Sequence, residues 1–302
     1  MEEWDLIVVG GGPAGLAAGI YGARGGLRTL VLEGRAVGGR MAEAPWIENY
    51  PGVPPVQGME LAGRMAEQCR REGAEVREGE EARELVLGGR RVVRTDRGEY
   101  AAGAVVLATG LSHRRLGVPG EEEFLGKGVS YCPVCDGPLF RGRRVMVVGG
   151  GNSAVSTALY LSQLASSVVL VHRRDRLRAD PALAGRLEGR VGILWNRVVE
   201  GIGGDLRRKV VRLREVGTGR AEEVEVEGVF IAVGEEPNSG LARRAGIRTD
   251  GEGYIVVDRR QRTSAEGVYA AGDVTDFPFK QVAAAVAQGM TAALEARSLL
   301  RP

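Results

Sequence analysis

Cysteine is scarce: three residues in 302, at positions 69, 132 and 135. That is too few for a disulfide scaffold, and a lone C-x-x-C in such a chain fits a reducing compartment and a redox role. Lysine is scarce too, at 127, 209 and 280 only, so arginine carries nearly all the positive charge. Basic and acidic residues number 41 and 39 and almost cancel. Nothing in that balance suggests a general nucleic-acid or membrane-surface binder. No uninterrupted apolar run approaches the roughly 18 residues that a membrane-spanning helix needs. The chain opens MEEWDLIVV, acidic and running straight into a strand pattern. No secretory leader is expected, and the cytoplasm is the expected compartment.

Glycine is what the chain has in excess, with 47 residues. Many of them fall in a pattern that occurs twice. Residues 5–34 read DLIVVGGGPAGLAAGIYGARGGLRTLVLEG, and residues 144–174 read RVMVVGGGNSAVSTALYLSQLASSVVLVHRR. Each copy is an apolar run, a glycine turn, an apolar helical stretch and a second β-branched run. That is the strand–turn–helix–strand unit of a dinucleotide fold. Gly10, Gly12 and Gly15 make G-x-G-x-x-G; Gly149, Gly151 and Ala154 make G-x-G-x-x-A. The first glycine turns the chain off the strand, the second admits a pyrophosphate, and the third lets the helix pack on the sheet. The helix start then offers free N–H groups to the phosphates, and Pro13 suits that start. Ala14 in the first copy, with Asn152 and Ser153 in the second, fills out the two turns.

The two copies end on opposite chemistry at the same spacing. Glu33 lies 23 residues after Gly10, and His172 lies 23 residues after Gly149. An acid there accepts hydrogen bonds from a ribose 2′-hydroxyl, so the first site is expected to hold an adenosine diphosphate with a free ribose, such as FAD. The run His172, Arg173, Arg174, with Arg178 further on, would attract a 2′-phosphate, so the second site is expected to take NADPH. Further strand endings are VVLATG (105–110), VFIAVGEEPN (229–238) and GVYAAGDVTD (267–276). The expected boundaries put a FAD domain at 1–115 and 243–302, with an NADPH domain at 116–242 inserted into it. The expected fold class is α/β: two Rossmann-like domains, each a three-layer ββα arrangement.

The C-x-x-C pair, Cys132 and Cys135, sits just ahead of the second repeat. A structural zinc site wants four Cys or His ligands. Only Cys69, His113 and His172 remain, and the second nucleotide site claims His172. No metal is therefore expected. Thiol–disulfide exchange needs a nucleophilic thiolate, a resolving thiol and a proton source. A C-x-x-C at a helix start, with Pro133 in first helical position, favours the thiolate. Asp136 reads either as the proton donor or as a plain acid at a helix start. Cys69 reads as a structural or surface thiol, His113 as a linker residue, and Glu121-Glu122-Glu123 as solvated loop.

With these motifs in order, the chain resembles the low-molecular-weight thioredoxin reductases of the pyridine-nucleotide disulfide oxidoreductase superfamily. GGGPAG, ENYPG (48–52), ATG, C-x-x-C-D-G (132–137), GGGNSA, HRRDRLR (172–178) and AAGDV (270–274) carry the resemblance. It implies a homodimer that uses FAD and NADPH to reduce thioredoxin or a thioredoxin-like protein. It makes Cys132 the thiol that attacks the partner, Cys135 the one facing the flavin, and Asp136 the acid/base. It puts Gly39, Arg40, Asn49, Ala108, Thr109, Gly110, Gly272, Asp273, Lys280, Gln281 and Val282 around FAD, with Val233 and Gly234 beside NADPH. Asp273 would bond the ribityl chain. The chain departs from the usual pattern in Gly38-Gly39-Arg40-Met41, in AEAPW (42–46), in the Pro-Val filling of the C-x-x-C and in Lys280. Dithiol and NADPH site share one domain yet serve one flavin, which implies that this domain turns about its linkers. Two other readings remain: a related flavoprotein feeding a peroxidase-reducing or glutaredoxin-like partner, and a flavin-binding redox sensor.

Overall fold

The computed structural model describes residues 1–44 and 46–301. Pro45, within the stretch 42–46 expected near the flavin, and Pro302 lie outside the described residues. The chain divides into two compact units, Met1–Ser112 with Glu236–Pro302, and His113–Glu235.

In the first unit, strand Glu2–Val9 pairs in parallel with Thr29–Glu33 on one side and Glu99–Leu107 on the other. Glu75–Glu78 extends the sheet beyond Thr29–Glu33. Val268–Ala270 pairs in parallel with the late half of Glu99–Leu107. The early half of that strand starts an antiparallel meander with Arg91–Thr95 and Ala82–Val86. Alternate residues of a strand face opposite sides. Leu6, Val8, Val31 and Val106 accordingly pack with residues of helices Pro13–Arg24, Gly58–Arg71 and Val282–Leu300. Ile7, Val9, Leu30, Leu32, Val105 and Leu107 pack on the other side with Leu85 and Val93 of the meander.

The second unit repeats the plan. Five parallel strands run in the order Gly192–Trp195, Ser167–His172, Arg144–Gly149, Gly228–Ala232, Val129–Ser130. Val145, Val147 and Leu170 pack with Ala154, Val155 and Ala158 of helix Asn152–Leu161. Met146, Val148 and Val171 face the antiparallel strands of the 197–226 meander through Ile202, Val211 and Leu213. Each unit is thus helices, parallel sheet and antiparallel meander in layers, an α/β dinucleotide-binding plan.

Both divisions of the chain fall earlier than expected, after Ser112 and not 115, and after Glu235 and not 242, so His113, Arg114 and Arg115 belong to the second unit. Leu241 and Ala242 are buried in the first unit's core with Ile247 and Ile255, so helix Gly240–Arg244 belongs there. Within the first unit, the places where the chain leaves and returns are bonded together. Thr109 Oγ1 donates to the Asn238 carbonyl at 2.8 Å, and Asn238 Nδ2 donates to the Thr109 carbonyl at 2.9 Å.

Candidate functional site

The two glycine turns have matching geometry. A Cβ on Gly10 would lie 2.2 Å from the Ala108 carbonyl oxygen, and one on Gly149 would lie 2.2 Å from that of Ala232. A Cβ on Gly15 would lie 1.8 Å from the Gly10 carbonyl oxygen. Each of these contacts pulls a helix or a neighbouring strand onto the turn. Gly12 and Gly151 behave differently: a Cβ on either would meet nothing within 4 Å. These middle glycines face the open space where a pyrophosphate needs to approach the backbone. Both turns therefore fit a dinucleotide.

Around the first turn, the structure gathers most of the expected flavin residues. Glu33 accepts from Gly11 N at 2.7 Å and from Arg35 N at 2.9 Å, which fixes its carboxylate beside the turn. Gly39 comes within contact of Gly12. Arg40 pairs with Glu43 at 2.9 Å, so its charge is engaged locally. Ala108 is buried under the turn. Gly272 adopts φ +80° against Ala14, where a Cβ would come within 2.8 Å of the Ala14 Cβ. That left-handed conformation leads the chain into half-buried Asp273 next to the turn. Gln288, buried in helix Val282–Leu300, accepts from Gly272 N at 2.7 Å and from Thr275 Oγ1 at 3.2 Å. Lys280 donates to the carbonyls of Asp273 and Thr275 at 3.1 and 2.7 Å and lies over the Tyr254 ring. Asn49 Nδ2 donates to Gln281 Oε1 at 2.9 Å across 232 residues of sequence. Val282 begins the helix that follows. Gly110 adopts φ +63° and accepts from Asn238 N. Gln288 carried no motif in the sequence, and Asn238 stood only as the last residue of the strand ending 229–238; both hold backbone groups of distant turns.

Around the second turn lies a cavity of about 300 Å³. Gly149, Gly150, His172, Arg173, Arg178 and Val233 line it, joined by Arg114, Arg115 and Arg197. Arg174 is exposed and does not line it. His172 departs from the expectation of a phosphate-attracting cation. Its ring is 6% exposed, bonded to the Arg176 carbonyl at 2.9 Å, and packed where a Gly150 Cβ would stand. Burial holds the imidazole below its ordinary pKa, despite hydrogen bonds that favour the charged form. It props the turn, while Arg173 and Arg178 of the same run are exposed and line the cavity. Asn152 Oδ1 accepts from Asp180 N at 2.7 Å, bringing helix start and following loop together. Ser153 is exposed and Ala154 buried at the start of that helix. Gly234 adopts φ +121° and accepts from Arg114 N at 2.8 Å.

The dithiol belongs to the same unit. Cys132 and Cys135 form a disulfide with Cα atoms 5.4 Å apart. Cys132 caps a short helix, Pro133–Asp136, that contains Cys135, with Pro133 in its first turn. Cys132 Sγ accepts from Cys135 N at 3.1 Å, and Cys132 N donates to Ser130 Oγ at 3.0 Å. Asp136 N donates to the Cys132 carbonyl, closing the single turn of this helix. Glu121, read as solvated loop, is instead 4% exposed. Its carboxylate accepts from Leu116 N, Gly117 N and the Tyr131 hydroxyl. Burial raises this carboxyl, and those hydrogen bonds outweigh burial and hold it below the usual range. Tyr131 also stacks on His113, ring centroids 5.1 Å apart. Cys69 is fully buried, packed against Gly19, and burial pushes its thiol up to about 11. Among the described residues no helix is long and apolar enough to cross a membrane, and no group of His, Cys, Asp and Glu is arranged to hold a metal.

Two dinucleotide turns of opposite charge and a C-x-x-C disulfide define an NADPH-dependent flavoprotein disulfide oxidoreductase. A family profile described as pyridine nucleotide-disulphide oxidoreductase matches residues 4–289. A thioredoxin reductase of Treponema pallidum is 43% identical over 99% of this chain and 97% of its own. One from Bacillus subtilis is 42% identical over 96% of this chain and 92% of its own. The solved thioredoxin reductase of Lactococcus lactis is 39% identical, with a TM-score of 0.92 over 98% of this chain and 99% of its own. The chain belongs to the pyridine nucleotide-disulphide oxidoreductase family, among the thioredoxin reductases. FAD and NADPH are the cofactors of that group.

Proposed function

We propose that the protein reduces the disulfide of thioredoxin or a thioredoxin-like protein with electrons from NADPH. The observation that carries this is the Cys132–Cys135 disulfide at a helix start, on the same unit as the arginine-lined nucleotide cavity. FAD, when bound, would supply the relay that accepts a hydride's two electrons from NADPH and passes both to the Cys132–Cys135 disulfide.

In the exchange itself, the reduced Cys132 thiolate attacks one sulfur of the partner disulfide. The Cys135 N–H directed at Cys132 Sγ favours that thiolate. The partner's first thiolate leaves and takes up a proton, for which Asp136 is the nearby acid. Cys135 then attacks Cys132 sulfur, releases the second partner thiolate and restores the Cys132–Cys135 bond. Cys132 is the interchange thiol, and Cys135 the one that exchanges electrons with the flavin. Glu33 binds the FAD ribose, Asp273 its ribityl chain, and Asn49, Lys280, Gln281 and Val282 flank the ring. Arg173 and Arg178 bind the 2′-phosphate of NADPH. The second unit turns about its two crossings to serve both half-reactions, and the enzyme works as a cytoplasmic homodimer. Family membership and a dithiol suited to a reducing compartment support these last points.

The test is a steady-state assay with NADPH and NADH against thioredoxins, glutaredoxins and small disulfides. Fast NADPH oxidation with a thioredoxin alone is the expected result. Preference for a glutaredoxin-like or peroxidase-reducing partner would reassign the substrate. Flavin bleaching without turnover on any disulfide would make the protein a sensor.

A further inference from the structure

We infer that Arg114 and Arg115, the residues just after the chain enters the second unit, bind the pyrophosphate of the nicotinamide nucleotide. The inference rests on the NADPH reading of the 300 Å³ cavity and adds to it a second set of cations.

Five arginines line that cavity: 114, 115, 173, 178 and 197. They are not equivalent. Arg197 is neutralised by Glu215 at 2.9 Å and Glu222 at 2.6 Å. Arg115 meets Glu122 only loosely, at 3.5 Å, with both side chains mostly in water. Arg114, Arg173 and Arg178 form no ion pair among the described residues. Three to four cations without fixed counter-charges thus surround one glycine turn. Such a site asks for a ligand with more than one phosphate.

Sheet order separates the cations into two groups. Strand Arg144–Gly149, which ends in the glycine turn, lies between Ser167–His172 on one side and Gly228–Ala232 on the other. Arg173 and Arg178 follow Ser167–His172, the side that takes the adenosine ribose. Arg114 is tied by its backbone N–H to Gly234, just past the end of Gly228–Ala232. The pair 114–115 therefore stands on the far side of the turn from the 2′-phosphate group. A dinucleotide laid across the turn crosses it with its pyrophosphate on the way to that side. Arg114 and Arg115 meet the ligand there, and nucleotide occupancy is felt at the residues that begin the second unit.

The experiment measures dissociation constants of NADP⁺ and NAD⁺ on the FAD-loaded enzyme and on an Arg114→Ala/Arg115→Ala variant. Flavin content and the unfolding midpoint confirm that the variant folds, and Arg114→Lys/Arg115→Lys tests partial rescue. Both nucleotides should weaken by the same factor, about three- to tenfold per arginine, because the groups are exposed and partly screened. The loss should shrink as salt is raised. Unchanged affinity for both nucleotides would overturn the assignment. So would a loss confined to NADP⁺, which would move the pair to the 2′-phosphate. Wild-type enzyme that bound NAD⁺ as tightly as NADP⁺ would instead refute the 2′-phosphate reading of Arg173 and Arg178, leaving the pyrophosphate assignment to the variant. Wild-type enzyme that bound neither would sink both.

Discussion

The hydroxyl of Tyr131 donates to the buried carboxylate of Glu121, one residue ahead of Cys132. The same carboxylate takes the N–H groups of Leu116 and Gly117, so one acid ties the entry of the unit to the redox turn. Glu121→Gln should cost about 1–3 kcal/mol, since it leaves buried donors poorly paired. The carboxyl is held below its ordinary pKa in the folded state. Its contribution is therefore present above the unfolded carboxyl's pKa and is lost as pH falls through the lower folded value. Urea unfolding of wild type and Glu121→Gln from neutral to acid pH checks this: the gap between them should close as pH falls. A constant gap would argue against it.

Gly10 and Gly12 should fail in different ways. Gly10→Ala adds a Cβ 2.2 Å from a carbonyl oxygen at φ +109°, so the unfolding midpoint should drop by the equivalent of several kcal/mol. Gly12→Ala enters open space at an ordinary φ of −77°, so the fold should persist while FAD binding is lost. Flavin absorbance and circular dichroism separate the two. A Gly12→Ala protein with full flavin would remove Gly12 from the site.

Arg173→Ala and Arg178→Ala should each weaken NADPH by about tenfold while sparing NADH. Arg174→Ala should have the smaller effect, since Arg174 stands outside the cavity lining. Michaelis constants for the two nucleotides give the answer, and equal losses for both would refute the 2′-phosphate role.

Cys135→Ser should keep FAD and stop thioredoxin reduction. Thiol counting adds a second check. Cys69 is buried and pushed up to about 11, so native reduced enzyme should show two reactive thiols near pH 8 and a third only on unfolding. A folded thiol with a raised pKa stabilises fully below the unfolded thiol's value and loses that contribution as pH rises through the folded one. The stability advantage of wild type over Cys69→Ala in urea unfolding should therefore narrow only as pH rises from the unfolded thiol's value toward about 11. Fast labelling of Cys69 in the folded enzyme would contradict its burial.

Both nucleotide turns were legible because their glycines answer a local steric demand, and the acid or base at each strand end is local too. Glu121 was misread because a run of three glutamates has the composition of solvated loop. What buries the first of them is a tyrosine ten residues away and two backbone N–H groups, which leave no periodic mark. His172 was misread for the opposite reason. It sits in a basic run, but the last position of a strand can point under the preceding turn, and there the ring is desolvated. Arg114 and Arg115 escaped notice because sheet order, unknown from sequence, is what brings them beside Gly149.

Thr109 and Asn238 clasp each other where the first unit gives up the chain and takes it back. The intervening 123-residue segment, His113–Glu235, leaves and re-enters through one doorway. Its removal would leave two stubs already in register, closable by a turn of a few residues. The gene could thus gain, lose or exchange this segment at a single seam that crosses only the two short paired strands Leu111–His113 and Glu235–Pro237. That makes the seam the natural place to splice in a different electron donor site while the rest of the enzyme is kept.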